Sequence, residues 1–392
     1  MQSEKKISVL NVLTGVDDGG LEMLVYRIYK GLDKLKYDLK MVSLTPLRGN
    51  FLEKQIRETG TELYSFNFRN KGKGIKDGLH NAGQYLLFIF FLWNTKFDVI
   101  HSHDFFPAFI ARTGILLSQK KLFRRSIKVF STYHNIYYWL KPVHHKINKF
   151  LSLFTKNIVC VSNTVKENYI KQENIKPEKL IVIRNGVNHL QFFPDNSLRN
   201  ITREDLGYKP DEIVIGCVAV ITERKGQVFL LEAFKNLLIK HPKVRLLLVG
   251  GTREHEIEYY SNLLKIIKDN SIEQYVKFHP PVESVNPIYN AIDVFVLPSV
   301  TEGFGLSAFE CMLTEKICLF SDLDVFKELT ENGKIGFHFE GKNSESLFIE
   351  LNKIIENFDD FSKKTSDYRN YVLNNYSESE MVKKYDRIYD SD

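Results

Sequence analysis

Two glutamates eight positions apart, Glu302 and Glu310, close a segment with more chemical content than any other in the chain: Leu297-Pro-Ser299-Val-Thr-Glu302-Gly-Phe-Gly305-Leu-Ser-Ala-Phe-Glu310. An apolar run ends at Pro298, a glycine-rich loop carries the first acid, and a helix opening near Gly305 carries the second. Backbone N–H groups in such a loop, from Gly303, Phe304, Gly305 and Leu306, can cradle a diphosphate at a helix N-terminus. Glu310 lies about two helical turns further on, where it can accept hydrogen bonds from ribose hydroxyls. Glu302 can reach toward a sugar ring. Paired acids also suit glycoside hydrolysis, but a hydrolase has no use for a phosphate cradle.

Three further segments join a short apolar run to a polar turn. Thr222-Glu-Arg224-Lys225-Gly226-Gln227 places a lysine beside a glycine at a helix start, which suits phosphate; it equally suits a solvated charged turn. A P-loop is excluded, because G-x-x-x-x-G-K-[ST] is missing. Thr14-Gly15-Val-Asp-Asp-Gly19-Gly20-Leu-Glu22 lets backbone approach an anion closely, and reads as well as a plain strand-to-helix turn. It lacks the G-x-G-x-x-G dinucleotide fingerprint. His101-Ser-His103-Asp104 follows Asp98–Ile100; His103 can donate to a substrate hydroxyl or phosphate, or serve a purely structural role. Two histidines and an aspartate also raise a metal, a weaker reading, because residues two apart share a face only if the strand runs on through them.

All of these residues need apolar strands to deliver them. Ile7–Leu13, Leu39–Leu44, Glu62–Phe66, Val99–His103, Ile127–Thr132 and Ile158–Ser162 read as strands in the first half. Glu212–Val220, Val244–Gly250, Tyr275–Phe278, Asp293–Leu297 and Ile317–Phe320 do so in the second. Amphipathic stretches lie between them: Leu21, Leu24, Val25, Ile28, Leu32 and Leu35 recur at helical spacing, and Phe51–Glu58, Gly226–His241, Glu254–Asp269 and Gly305–Leu313 follow suit. Strands alternating with helices imply parallel sheets, whose ligands bind at the carboxyl ends of the strands. The join between two such sheets is expected near Asn185–Asp211, which carries prolines and lacks helical periodicity. A length of 392 residues agrees with two domains. So does charge: residues 1–200 hold 31 Lys+Arg against 16 Asp+Glu, and the remainder holds 23 against 32.

Composition excludes several classes. The longest apolar run, Tyr85–Trp93, is half of the roughly 18 residues a membrane span needs. The beginning of the chain reads as a buried strand and not as a signal peptide, so a cytoplasmic location is expected. Cys160, Cys217, Cys311 and Cys318 are scattered, which suggests reduced core thiols and neither a disulfide framework nor zinc. No RNA- or DNA-reading motif is present, so nucleic acid is not expected as a partner.

Taken together, these segments resemble the family 4 glycosyltransferases (glycosyl transferases group 1). The resemblance runs through Gly19-Gly20-Leu-Glu22, the His103 strand end, Ser131-Thr-Tyr-His134-Asn135, Cys160-Val-Ser-Asn163, Val182-Ile-Arg-Asn185-Gly186-Val, Lys225-Gly226, Leu248-Val-Gly250 and the Glu302/Glu310 segment. It implies an α/β protein of GT-B architecture, with two doubly wound Rossmann-like domains facing a central cleft. Residues 1–190 would form the acceptor-side domain and 191–372 the nucleotide-sugar domain, with 373–392 a helix crossing back to the first. It also implies retention of anomeric configuration, a UDP- or GDP-linked sugar as donor, no cofactor and no metal. Lys225 would neutralise the donor phosphates, the Gly303–Leu306 backbone would meet phosphates and sugar, Glu310 would hold ribose and Glu302 the donor sugar. Gly19 and Gly20 would close over the phosphates, His103 would sit near sugar and acceptor, and His134 and Asn135 would lie on the acceptor side.

The chain departs from the family pattern at Val220, where an arginine is usual; Arg224 is the neighbouring cation able to take over. Gly250-Gly251-Thr252 and His279-Pro280-Pro281 replace other usual glycine positions. A catalytically inactive nucleotide-sugar-binding module of the same fold is the alternative. The metal-dependent glycosyltransferase fold would need Asp322-Leu-Asp324 as its metal motif, but that lies too late in the chain. The resemblance, together with the basic first half, implies a lipid-linked or polysaccharide acceptor in bacterial cell-surface glycan synthesis. Lys120, Lys121, Arg124, Arg125 and Lys128 cluster around Leu122, Phe123 and Ile127, which suits an anionic membrane surface met peripherally on the inner face and equally suits a solvated charged loop.

Overall fold

Near-continuous apolar runs such as Val9–Leu13 and Val294–Leu297 leave no polar face, and such strands pair in parallel with helices covering both sides. In the computed structural model, which describes residues 5–17, 19–69, 75–118, 127–252 and 256–391, they do so twice. Strands β1 (Ile7–Leu13), β2 (Tyr37–Ser43), β3 (Glu62–Ser65), β4 (Val99–His103), β5 (Lys128–Tyr133), β6 (Asn157–Cys160) and β7 (Leu180–Val182) form one sheet, ordered β3-β2-β1-β4-β5-β6-β7. Strands β8 (Ile213–Val218), β9 (Val244–Val249), β10 (Val276–His279), β11 (Val294–Leu297), β12 (Ile317–Ser321) and β13 (Phe337–Phe339) form the other, ordered β10-β9-β8-β11-β12-β13. Every pairing is parallel. The two doubly wound sheets expected of the GT-B architecture are therefore present.

Strand order reverses between β1 and β4 in the first sheet and between β8 and β11 in the second. A crevice at such a switch point is where open parallel sheets take ligands. The polar turns singled out in the sequence leave these four strands.

One compact unit comprises Met1–Asn185 with Glu378–Asp392, the other Gly186–Ser377. The C-terminal helix Glu378–Asp390 belongs to the first unit through Met381, Val382, Tyr385 and Tyr389, an apolar stripe at helical spacing that is buried. Val382 packs against Gly31, where a Cβ would stand 2.7 Å from its methyl. Asp386 and Asp390 hold Lys36 at 2.8 and 3.1 Å.

The stretch 185–211, read as lacking helical periodicity, contains the helix Asn196–Asp205. Its inward face is not apolar: Arg203 is the buried residue. Arg203 and Arg199 clamp Asp293, at the entry to β11, at 3.0 and 2.6 Å. Asp195 caps it by accepting from the Ser197 and Leu198 amides. All four cysteines are buried and free of disulfides. No helix among the described residues is long and apolar enough to cross a membrane.

Candidate functional site

The switch point of the second unit is built from the turns after β8 and β11. The turn Thr222–Gly226 lies against the loop beginning at Pro298. Gly226 has φ +68°, and a Cβ there would stand 2.0 Å from the Pro298 carbonyl oxygen, so this approach requires glycine. The Val300 amide donates to the Arg224 carbonyl at 2.8 Å, and the Arg224 guanidinium donates to the Thr301 carbonyl at 3.3 Å.

These contacts converge on Glu302. Its side chain is 6% exposed, and Oε1 accepts from both Lys225 Nζ and Ser299 Oγ, the latter at 2.8 Å. Arg224 Nη1 stands 3.7 Å from Oε2. Burial pushes the Glu302 carboxyl upward, but Lys225 and Arg224, aided by Ser299, outweigh it and hold the group below its usual range. Two cations thus share one buried carboxylate.

Downstream, Gly305 has φ +82°, and a Cβ there would stand 2.7 Å from the Phe326 ring. The helix Leu306–Met312 starts immediately after it. Phe304 is buried against Phe309 and Tyr376, so it offers the loop surface its backbone and not its ring. Glu310 is half-buried on that helix and accepts from the Tyr289 hydroxyl at 3.2 Å. Val220, where the family usually has arginine, is half-buried, and its carbonyl accepts from Gln227 Nε2 at 3.0 Å. Gly250 donates to the His279 carbonyl at 3.1 Å and Gly251 accepts from the Ile221 amide at 2.9 Å, so both departures at these positions serve to join strand ends. Asp322 accepts from the Gly341 amide at 2.9 Å and faces Lys327, a loop-holding role.

In the first unit, β4 runs through His103, so His101 and His103 share a face and their rings stack at 4.4 Å. His101 Nδ1 meets the Tyr389 hydroxyl at 2.6 Å and its Nε2 meets Thr132 at 2.7 Å. His103 is buried: Nε2 meets Asn11 Oδ1 at 2.7 Å, and Nδ1 meets His134 Nε2 at 3.0 Å. The Asn11 oxygen can only accept, which assigns the His103 proton to Nε2 and makes His134 the donor to Nδ1. Burial first, then the neighbouring rings, hold His101 down to about 3 and His103 well below 6.5, and His134 is lowered as well. All three are neutral near physiological pH. His134 is the half-buried member and His103 stands behind it.

Gly19 caps the helix Gly20–Gly31, and a Cβ at Gly19 would stand 2.3 Å from a Glu22 carboxylate oxygen, whereas Gly20 faces open space. Asn135 accepts from the Ile136 amide at 2.8 Å through its side chain. Asp104, with φ +70°, accepts from the Tyr137 hydroxyl.

The structure thus gathers Arg224, Lys225, Glu302 and the Gly303–Leu306 loop at one switch point, with Glu310 on the helix that follows. It gathers His103 and His134 at the other. Sequence reading gave no role to Ser299, Tyr289 or Asn11. Asn11 did leave a signal, as a lone amide in the apolar run of β1. Among the described residues no cluster of His, Cys, Asp and Glu could hold a metal ion.

Residues 18–190 match the family model "Glycosyltransferase Family 4" and residues 199–372 match "Glycosyl transferases group 1". The chain is 25% identical over 300 residues to the Escherichia coli UDP-Gal:alpha-D-GlcNAc-diphosphoundecaprenol alpha-1,3-galactosyltransferase, covering 75% of each protein. It is 24% identical to the putative glycosyltransferase EpsF of Bacillus subtilis, over 82% of this chain and 80% of that one. Among solved structures, Anabaena Alr3699/HepE in complex with UDP-glucose superposes with a TM-score of 0.85 at 17% identity, covering 98% of this chain and 100% of the other. At that identity the likeness speaks for the fold alone.

Proposed function

The chain is a GT-B-fold glycosyltransferase related to glycosyl transferases group 1 and glycosyltransferase family 4, and from that premise we propose that it transfers a hexose from a nucleotide-diphosphate sugar to a hydroxyl acceptor with retention of configuration. The observation that carries this reading is the buried Glu302 carboxylate shared by Lys225 and Arg224 at the β8/β11 switch point, with Glu310 on the following helix.

On this reading Lys225 and Arg224 turn to the diphosphate, and the Gly303–Leu306 backbone meets the phosphates. Glu310 accepts from the ribose hydroxyls and Glu302 from a hydroxyl of the donor sugar. The bond from the anomeric carbon to the diphosphate breaks while the acceptor oxygen bonds to the same face. The acceptor's proton passes to the departing phosphate oxygen. Negative charge builds on the leaving nucleoside diphosphate, and a fixed cation beside it lowers that barrier. In the first unit, His134, held by His103, and Asn135 present the acceptor; Gly19 and Gly20 offer backbone N–H groups to the donor.

We assign the protein to bacterial cell-surface glycan synthesis, with a lipid-linked or polysaccharide acceptor and a peripheral place at the cytoplasmic membrane. The Escherichia coli relative, which acts on a diphosphoundecaprenol-linked sugar, supports the acceptor class. A thermal-shift screen across UDP-, GDP- and ADP-sugars tests the donor reading. A UDP- or GDP-sugar should raise the unfolding temperature of wild type and fail to do so in Lys225→Ala. Indifference of the wild type to all of them would refute the reading.

A further inference from the structure

From Phe105 to Lys166 the chain contains eleven Lys and Arg and not one Asp or Glu. Within that acid-free stretch, the helix Pro142–Ser152 buries Asn148, Leu151 and Ser152 and turns its other face to solvent. Val143, Phe150 and Leu153 lie there at 54, 56 and 68% exposure, preceded by Trp139 at 62%. Spacings of seven and three residues put Val143, Phe150 and Leu153 in one stripe. Lys141, Lys146 and Lys149, all exposed, interleave with them.

Exposed Trp, Phe and Leu beside lysines, with no acid near in sequence, match neither a solvated face nor the core. They match the interface of an anionic bilayer, where aromatic and aliphatic side chains enter the headgroup region and lysines meet lipid phosphate. Helix Ile75–Asn94 also exposes apolar residues, but no comparable run of lysines marks what would cover it.

We propose that the Trp139–Leu153 face is a docking surface for anionic membrane, distinct from the basic cluster Lys120–Lys128, which apart from Lys128 lies outside the described residues. The inference rests on the lipid-linked acceptor reading and gives it a route. Tyr138, beside Trp139, lines a cavity of about 100 Å³ together with Tyr137, Asn168 and Gln172. Aromatic faces and side-chain amides are the groups a sugar head presented from the membrane would meet. The face therefore brings the first unit to the bilayer with this cavity beside the lipid surface.

The test is co-sedimentation with vesicles of phosphatidylcholine alone and of equal parts phosphatidylcholine and phosphatidylglycerol. Wild type should bind the anionic vesicles and leave the neutral ones. The double variant Lys146→Gln/Lys149→Gln should partition about thirtyfold more weakly at low salt, and Trp139→Ser/Phe150→Ser should lose binding. Lys146→Gln/Lys149→Gln should unfold at the wild-type temperature; Trp139→Ser/Phe150→Ser, which loses ring contacts with Phe105 and Phe154, should still unfold cooperatively, and both should hydrolyse donor at the wild-type rate, because the residues touch no donor group. With Trp93→Phe, Trp139 is the remaining tryptophan, and its emission should shift to shorter wavelength on anionic vesicles. Undiminished vesicle binding by both variants would overturn the assignment of this face. Wild type that binds neither vesicle while glycosylating a detergent-dispersed lipid acceptor would overturn the membrane as occupant and leave the transferase reading standing. A concentration-dependent dimer, lost in Trp139→Ser/Phe150→Ser and blind to vesicles, would assign the face to a second copy and also overturn the proposal.

Discussion

Replacing Lys225 with alanine removes the closest cation from a carboxylate that is 6% exposed. Breaking a buried pair by deleting one partner costs about 3–5 kcal/mol, because a charge is left without compensation. The lower figure applies here: Lys225 is itself 13% exposed, and Arg224 at 3.7 Å and Ser299 at 2.8 Å remain. For a unit of about 190 residues, about 3 kcal/mol corresponds to roughly 6–12 °C in unfolding temperature.

The loss must depend on pH. In wild type the folded pKa of Glu302 lies below its ordinary 4.5, so its stabilisation is complete above that value and fades as pH falls through the folded pKa. In the variant, burial acts on the carboxyl without Lys225, so its folded pKa rises from the wild-type position and the ionised group is less stabilised at neutral pH. The deficit against wild type is therefore full near neutrality and shrinks as acid protonates Glu302. Adding Glu302→Gln to Lys225→Ala should recover part of the stability. It should not recover activity, for which we predict a fall in kcat/KM on the order of 10²–10³ from losing the cation at the leaving group. Thermal unfolding across pH, with donor turnover on the same samples, reads both. Equal stability of Lys225→Ala and wild type at neutral pH would refute the buried-pair account, and wild-type turnover would refute the catalytic one.

Three more outcomes follow. Glu310→Ala should weaken free nucleotide and nucleotide sugar alike, since both carry ribose, whereas Glu302→Gln should spare free nucleotide and impair transfer; calorimetry that reverses this pattern exchanges the two roles. Arg224→Ala should lower donor affinity severalfold, and Val220→Arg in that background should recover part of it; an Arg224→Ala titration that overlays wild type removes Arg224 from the phosphate site. Tyr389→Phe leaves the buried His101 Nδ1 without its partner at 2.6 Å, which should cost about 1–3 kcal/mol in urea unfolding and leave donor affinity intact; an unchanged midpoint would show that the bond contributes nothing.

Local pattern carried the strands. Short apolar runs bounded by turn residues, such as those of β1 and β11, read as strands, and the turns leaving them carry the glycines that close approach requires. The Glu302/Glu310 segment was legible because loop, helix start and both acids lie within one stretch of chain. What eluded sequence reading depends on distance or on polar burial. Lys225 and Glu302 are 77 residues apart, and His101 and Tyr389 are 288 apart. No local pattern announces that His103 is sealed between Asn11 and His134. The helix Asn196–Asp205 escaped because its inward side chain is an arginine bound to Asp293, and a periodicity of apolar residues cannot report a helix held by charge. Strand β13, three residues long, is too short to show a period.

The central claim is that Lys225 and Glu302 hold a nucleotide sugar for transfer with retention. Its most direct measurement is magnetic resonance of the first product formed from an isotope-labelled α-linked nucleotide sugar, with wild type and Lys225→Ala side by side. Wild type should give the α-anomer before any mutarotation, and Lys225→Ala should give almost none in the same time. A β-anomeric first product, or equal rates from the two proteins, would contradict the account.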